Sequence, residues 1–174
     1  METQTTDEFL NTLYIKEIVE VFYADQTEEK CFNIAGHLIL RMNEGGKVPM
    51  PLVNITRIVF GLDPEMDTDE VFPDDVPEIF IAYNGKDGTK WLPLFTDRSE
   101  MKGLEKTNPV KEVPITEIIR KAFESEEYAG VIINPETVDY VLVKDACKFL
   151  LEKAEELKKM QVRRIRKCLR SVNI

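Results

Sequence analysis

One stretch constrains the fold more than any other. In KDACKFLLEKAEELKKMQVRRIRKCLR, from Lys144 to Arg170, the residues Ala146, Leu150, Ala154, Leu157, Gln161, Ile165 and Cys168 recur at three- and four-residue steps. Side chains so spaced stack along one stripe of an α-helix, and Phe149 and Met160 lie beside that stripe. At about 1.5 Å per residue the helix would be roughly 40 Å long, comparable to the diameter of a small domain. Its N-terminal half can lie on a core, with Leu150, Ala154 and Leu157 held against the body. Its last turns run out of core to lie on.

Charge divides the same helix. Lys158–Arg170 carries seven basic residues and no acid, in a chain whose net charge is −9. The remaining 16 basic and 32 acidic residues give −16. An acidic body with a basic, amphipathic end brings nucleic acid, anionic lipid or an acidic protein surface to mind. The acidic body disfavours nucleic acid, because it repels phosphates. Two readings of Arg163, Arg164, Arg166, Lys167 and Arg170 stay open. They fold back on this chain's own acidic body, or they touch a partner.

At 174 residues the chain is about one domain long, and 43% hydrophobic residues supply a sizeable core. The division that follows is an α+β domain over 1–157 and a basic helical tail over 158–174. No run approaches the roughly 18 apolar residues of a membrane helix. METQTTDEF has neither a basic start nor an apolar core, so no secretory signal is expected. Cys31, Cys147 and Cys168 are odd in number and far apart, which suits reduced thiols in a cytosol.

Along the chain, residues 6–24 predict a first amphipathic helix, with Leu10, Leu13, Tyr14, Ile18, Val21 and Phe22 on one face. A second helix is expected from Thr27 to about Asn43, stopped by Gly45-Gly46. KVPMPLV (47–53) and ITRIVF (55–60) read as short strands. GLDPEMDTDEVFPDDVPE (61–78), with eight acids, no base and three prolines, reads as a solvated loop. IFIAY (79–83) and TKWLPLF (89–95) predict a hairpin across NGKDG. A short helix follows at ITEIIRKAF (115–123), then a strand buried on both faces at Val131–Ile133 and another at VDYVLV (138–143).

The junction WLPLFTDRSEM, where an apolar run stops at Thr96 and a polar stretch begins, is the first candidate site. If the strands before Thr96 and Asn134 are neighbours, their C-terminal edge is where open α/β sheets often bind ligands. Thr96, Asp97 and Asn134 would then offer a hydroxyl, a carboxylate and an amide. The structural reading is stronger: Asp97 is a good N-cap, its carboxylate accepting the N–H of Glu100, and Asn134-Pro135 is a turn. No catalytic, cofactor-binding or metal residue is assigned. His37 is the only histidine and sits in the apolar run GHLIL, as a packed residue does. Asp63, Glu65, Asp67 and Asp69 alternate like calcium ligands, but Thr68 stands where such a loop needs Gly and Asp74 where it needs Glu. The cysteines and His37 lack zinc spacing, and neither common phosphate-cradling glycine motif is present.

WLPLFTDRSEM, then VPITEIIRKAF, GVIINP and YVLVKD, in that order, resemble the SseB-like N-terminal domain of bacteria, a family named after an enhanced serine sensitivity protein. The likeness covers about Trp91–Leu151. It implies a cytoplasmic bacterial protein with a mixed α/β domain and carries over no catalytic residue. Some relatives continue into a second domain where this sequence has the basic helix, so no role of that domain is carried over. The expectation is one α+β domain, with helices packed on a mixed sheet of about five strands. It would act as a non-enzymatic protein-interaction or regulatory module. The expected partner is a protein, with self-association possible in principle through the long helix. The alternative is a small-molecule-binding or enzymatic domain using the edge at Thr96, Asp97 and Asn134. Trp91 and the five basic tail residues complete the candidate binding set.

Overall fold

The computed structural model describes residues 27–53 and 79–172, those at 28–30 and 167–172 as helix backbone. The expected helix 6–24, strand 55–60 and acidic loop 61–78, with its calcium-like spacing, lie outside the described residues. The elements are α1 (Glu28–Asn43), β1 (Lys47–Pro51), β2 (Tyr83–Asn84), β3 (Lys90–Leu94), β4 (Val110–Pro114), α2 (Ile115–Glu124), β5 (Gly130–Ile133), β6 (Tyr140–Val143) and α3 (Lys144–Val172). Two short 3-10 turns, Arg98–Met101 and Leu104–Lys106, separate β3 from β4. The fold is α+β, as expected.

Helix α1 stops where the glycines dictate. Gly46 N–H donates to Arg41 O at 2.8 Å and Gly45 N–H to Met42 O at 3.3 Å, with Gly45 at φ 74. This is the paired-bond C-cap in which a left-handed glycine satisfies carbonyls that the helix itself cannot. Gly46 then serves the next helix: its carbonyl accepts the N–H of Ile115 at 3.0 Å. That contact matters because Pro114, ahead of α2, offers no capping side chain. α2 buries Ile115, Ile118, Ile119 and Ala122 on one face, and each fully buried isoleucine contributes about 1.5–3 kcal/mol.

The strands form two sheets rather than the single mixed sheet of about five expected from the sequence. β1 pairs antiparallel with β4, and the larger sheet runs β2-β3-β5-β6. β3 and β5 are parallel, the other pairs antiparallel. A parallel pair needs a crossover, and β4 and α2 lie within it. Beyond β1, Leu52 bridges Phe80 ahead of β2, with Val53 N–H donating to Ile79 O at 2.7 Å and Ile81 N–H to Pro51 O at 3.3 Å. Pro49 and Pro51 in β1 lack the N–H that a longer ladder requires.

The core lies between the larger sheet and the helices. Leu92, Leu94, Val131, Ile133 and Leu142 meet Ile34, Leu38, Met42 and the apolar face of α2 there, with Cys147 and Leu150 of α3. Ile132 is also buried, at 4% exposure, but outside that cluster. Successive strand residues face opposite ways, so the continuous run at 131–133 is buried on both faces as predicted. Gly130 is required where it stands: at φ 155, a Cβ would lie 2.0 Å from Leu142 O.

Along α3, Cys147 and Leu150 are fully buried, and Ala146, Leu151, Ala154 and Leu157 are half-buried. Every residue from Lys158 to Arg166 is exposed. The helix is anchored by its first half and leaves the described body with its second. No described helix is long and apolar enough to cross a membrane.

Candidate functional site

β3 and β5 end side by side, Leu94 opposite Ile133. The corner made by Thr96 and Asn134 is therefore a real structural unit. Asn134 sits at φ 46, a left-handed conformation that Asn tolerates better than most residues. Its N–H donates to Leu94 O at 3.1 Å. Its carbonyl accepts from the N–H groups of Thr137, Val138 and Asp139 at 3.1, 2.9 and 3.0 Å. Its side-chain Oδ1 accepts the Thr96 N–H at 2.9 Å, and Nδ2 donates to Thr96 Oγ1 at 2.8 Å. Thr96 and Asn134 are both 0% exposed.

Glu100 and Thr137 add a contact beside the corner that sequence reasoning had not paired. Glu100 is 5% exposed and its carboxylate accepts a hydrogen bond from the Thr137 hydroxyl. Nothing in the local pattern singled out Thr137, and Glu100 was read only as the third residue of a capped helix. Their pairing joins segments 37 residues apart, which no local periodicity reports.

Asp97 caps, but differently from expectation. Its Oδ1 accepts the Ser99 N–H at 2.8 Å and the Ser99 hydroxyl. The Glu100 N–H donates instead to the Asp97 carbonyl at 3.2 Å. The cause is the tighter turn: 3-10 geometry closes bonds over three residues, so the Asp97 backbone takes the Glu100 donor and leaves its carboxylate to Ser99.

Trp91 lies at the other end of β3, half-buried opposite Tyr83. Five residues of extended chain, about 16 Å, separate it from Thr96. Near that end an open concavity of about 580 Å³ is lined by Gly88, Thr89, Lys90, Glu127, Tyr128 and Lys144, among others. Its cations are already bonded. Lys90 pairs with Glu127 at 2.8 Å, which raises the lysine's pKa and lowers the carboxylate's. Lys144 Nζ donates to Ser125 O at 2.7 Å. Cys31 Sγ lies 3.2 Å from Tyr140 Oη, and burial, with that contact second, pushes the phenol above its ordinary range. His37 is half-buried on α1. Among the described residues, no three His, Cys, Asp or Glu side chains gather as a metal site.

The basic candidates sit far from all of this. Arg163, Arg164 and Arg166 are exposed on the outer half of α3, and Lys167 and Arg170 belong to its last turns. Met160, Val162 and Ile165 beside them are 53%, 41% and 59% exposed. The structure thus brings Thr96, Asp97 and Asn134 together, and keeps Trp91 and the basic residues apart from them. Comparison with family models, curated proteins and solved structures returned no match.

Proposed function

We propose that this chain is a non-enzymatic protein-interaction or regulatory module, and that α3 is the element it presents. The observation that carries the reading is the exposure of every residue from Lys158 to Arg166 on a helix whose first half is packed into the body. An anchored helix holds its outer turns at low entropic cost, so a partner need not order them. The apolar side chains there are large and solvent-facing, a pattern that marks interaction surfaces.

The sheet edge supports the same reading from the other side. A ligand there would have to replace the bonds between Thr96 and Asn134, which are buried and mutually satisfied. Leaving such groups unpaired costs about 1–3 kcal/mol each. The likeness of WLPLFTDRSEM, VPITEIIRKAF, GVIINP and YVLVKD to the SseB-like domain adds the setting, a bacterial cytoplasm, to the proposal.

The test is affinity capture from a native lysate with the full chain and with residues 158–174 removed. A partner retained by the full chain and lost on truncation is expected. A partner indifferent to the truncation places the interacting surface elsewhere. A small metabolite retained in its stead, and released by Thr96→Val, favours the sheet edge.

A further inference from the structure

We propose that the outer stretch of α3 docks one acidic, amphipathic polypeptide segment of a partner protein. This rests on the interaction reading above and adds the chemistry of the occupant. Leu151 and Ala154 belong to the seam by which α3 packs on the body. Val162 and Ile165 lie about three helical turns beyond them, on nearly the same face. Exposed Glu155 and Lys158 interrupt that face, and past them the apolar pattern resumes as a short exposed ridge. With about 100° between successive residues, Arg166 falls about 70° to one side of that ridge, and Arg163 and Arg164 about 130° to either side of it.

No ion pair among the described residues compensates the charges of these arginines. Among the described residues, the ion pairs of α3 join Lys153 to Glu156 at 2.8 Å and Lys159 to Glu155 at 4.0 Å. None involves Arg163, Arg164 or Arg166. A short apolar ridge on a helix end whose other faces are cationic is complementary to a helix with an apolar stripe beside Asp and Glu, the helix-in-groove mode of recognition. A second copy of this stretch would set basic against basic. A bilayer fits less well: Lys158–Ile174 contains no aromatic residue to seat at the interface. The remaining −16 of the chain would also be repelled by the same anionic sheet, whereas a single helix touches only the ridge.

The experiment uses the full chain and a labelled synthetic peptide of about four turns, with a leucine stripe and glutamates elsewhere. Fluorescence anisotropy reads its binding at low and at molar salt. Binding should weaken about tenfold on R163Q/R164Q/R166Q, since three exposed ion pairs each contribute a few-fold. It should weaken several-fold on Ile165→Ser, fall with salt, and vanish when the peptide's glutamates are glutamines. Circular dichroism of both variants checks that α3 persists.

Four results would overturn the proposal. One is tighter association with phosphatidylserine vesicles than with the peptide. Another is peptide binding unchanged by both variants. A third is no peptide binding together with a dimer that Ile165→Ser dissolves. The last is no peptide binding together with a melting midpoint that drops on neutralising the three arginines, which places the stretch on this chain's own acids. The two readings separate cleanly. A lysate partner lost on removing 158–174, yet indifferent to R163Q/R164Q/R166Q, leaves the interaction module standing and removes the acidic occupant.

Discussion

The Thr96–Asn134 corner and the outer half of α3 are both rich in polar groups, and the fold treats them oppositely. At the corner Thr96 and Asn134 turn their polar atoms inward and bond to each other, both at 0% exposure. On α3 beyond Leu157 the polar groups face solvent, and apolar ones face it with them. Burial makes the corner's bonds expensive to break. Exposure makes each contact on the helix end cheap to lose and leaves it free to form with something else. Polar residues in a sequence are therefore weak evidence of a site until it is known which way they point.

The largest expected effect tests the corner. Asn134→Ala should cost about 3–5 kcal/mol, from two unpaired buried groups on Thr96 and the loss of a side chain that tolerates the left-handed φ better than Ala does. Urea denaturation reads it directly. Removal of residues 160–174 should change the same midpoint by less than about 0.5 kcal/mol. A corner variant as mild as the truncation would erase the contrast between the two regions.

Next comes pH. Burial pushes the Cys147 thiol up to about 11 from an ordinary 9.0. The folded state thus holds this proton more tightly than the unfolded chain. The resulting stability is complete below pH 9 and is lost as pH rises toward 11, by about 2–3 kcal/mol in all. The stability difference between the wild type and Cys147→Ala should shift by that amount between pH 8 and pH 11. The arginines of α3 stay charged throughout this range, so R163Q/R164Q/R166Q should show no such shift relative to the wild type.

Asp97→Ala should cost about 1 kcal/mol as a lost cap and leave partner binding intact. Abolished binding with unchanged stability would turn the corner into a site. The smallest effect belongs to Ile165→Ser, within about 0.5 kcal/mol on stability because the side chain is 59% exposed. Unfolding by that substitution would place Ile165 in the core and end the comparison.

Local rules carried much of this fold. Three- and four-residue spacing gave α3 nearly to its end, because an apolar stripe needs one covered face, and α1 and α2 were also legible nearly to their ends. Gly45-Gly46 announced the C-cap, because few residues accept φ near 74. The continuous run at Val131–Ile133 announced a strand covered on both sides. Local reasoning also made Asp97 a helix N-cap, and missed that the segment is a short 3-10 turn in which the carboxylate bonds the Ser99 N–H.

What the sequence determined by itself was this set of helices, strand segments and caps, and the separation of a basic helix end from an acidic remainder. Each follows from neighbours a few residues apart. What only the tertiary structure decided was how the strands divide into two sheets, that Asn134 closes on Thr96, and that Glu100 is buried against Thr137. Those partners stand 37 or 38 residues apart, and a hydrogen bond across that distance leaves no period in the chain. The point where α3 leaves its support was decided at both levels. The stripe thins in the sequence beyond Met160, but only packing against α1, α2 and the sheet shows that Leu157 is partly covered while Lys158 to Arg166 are exposed.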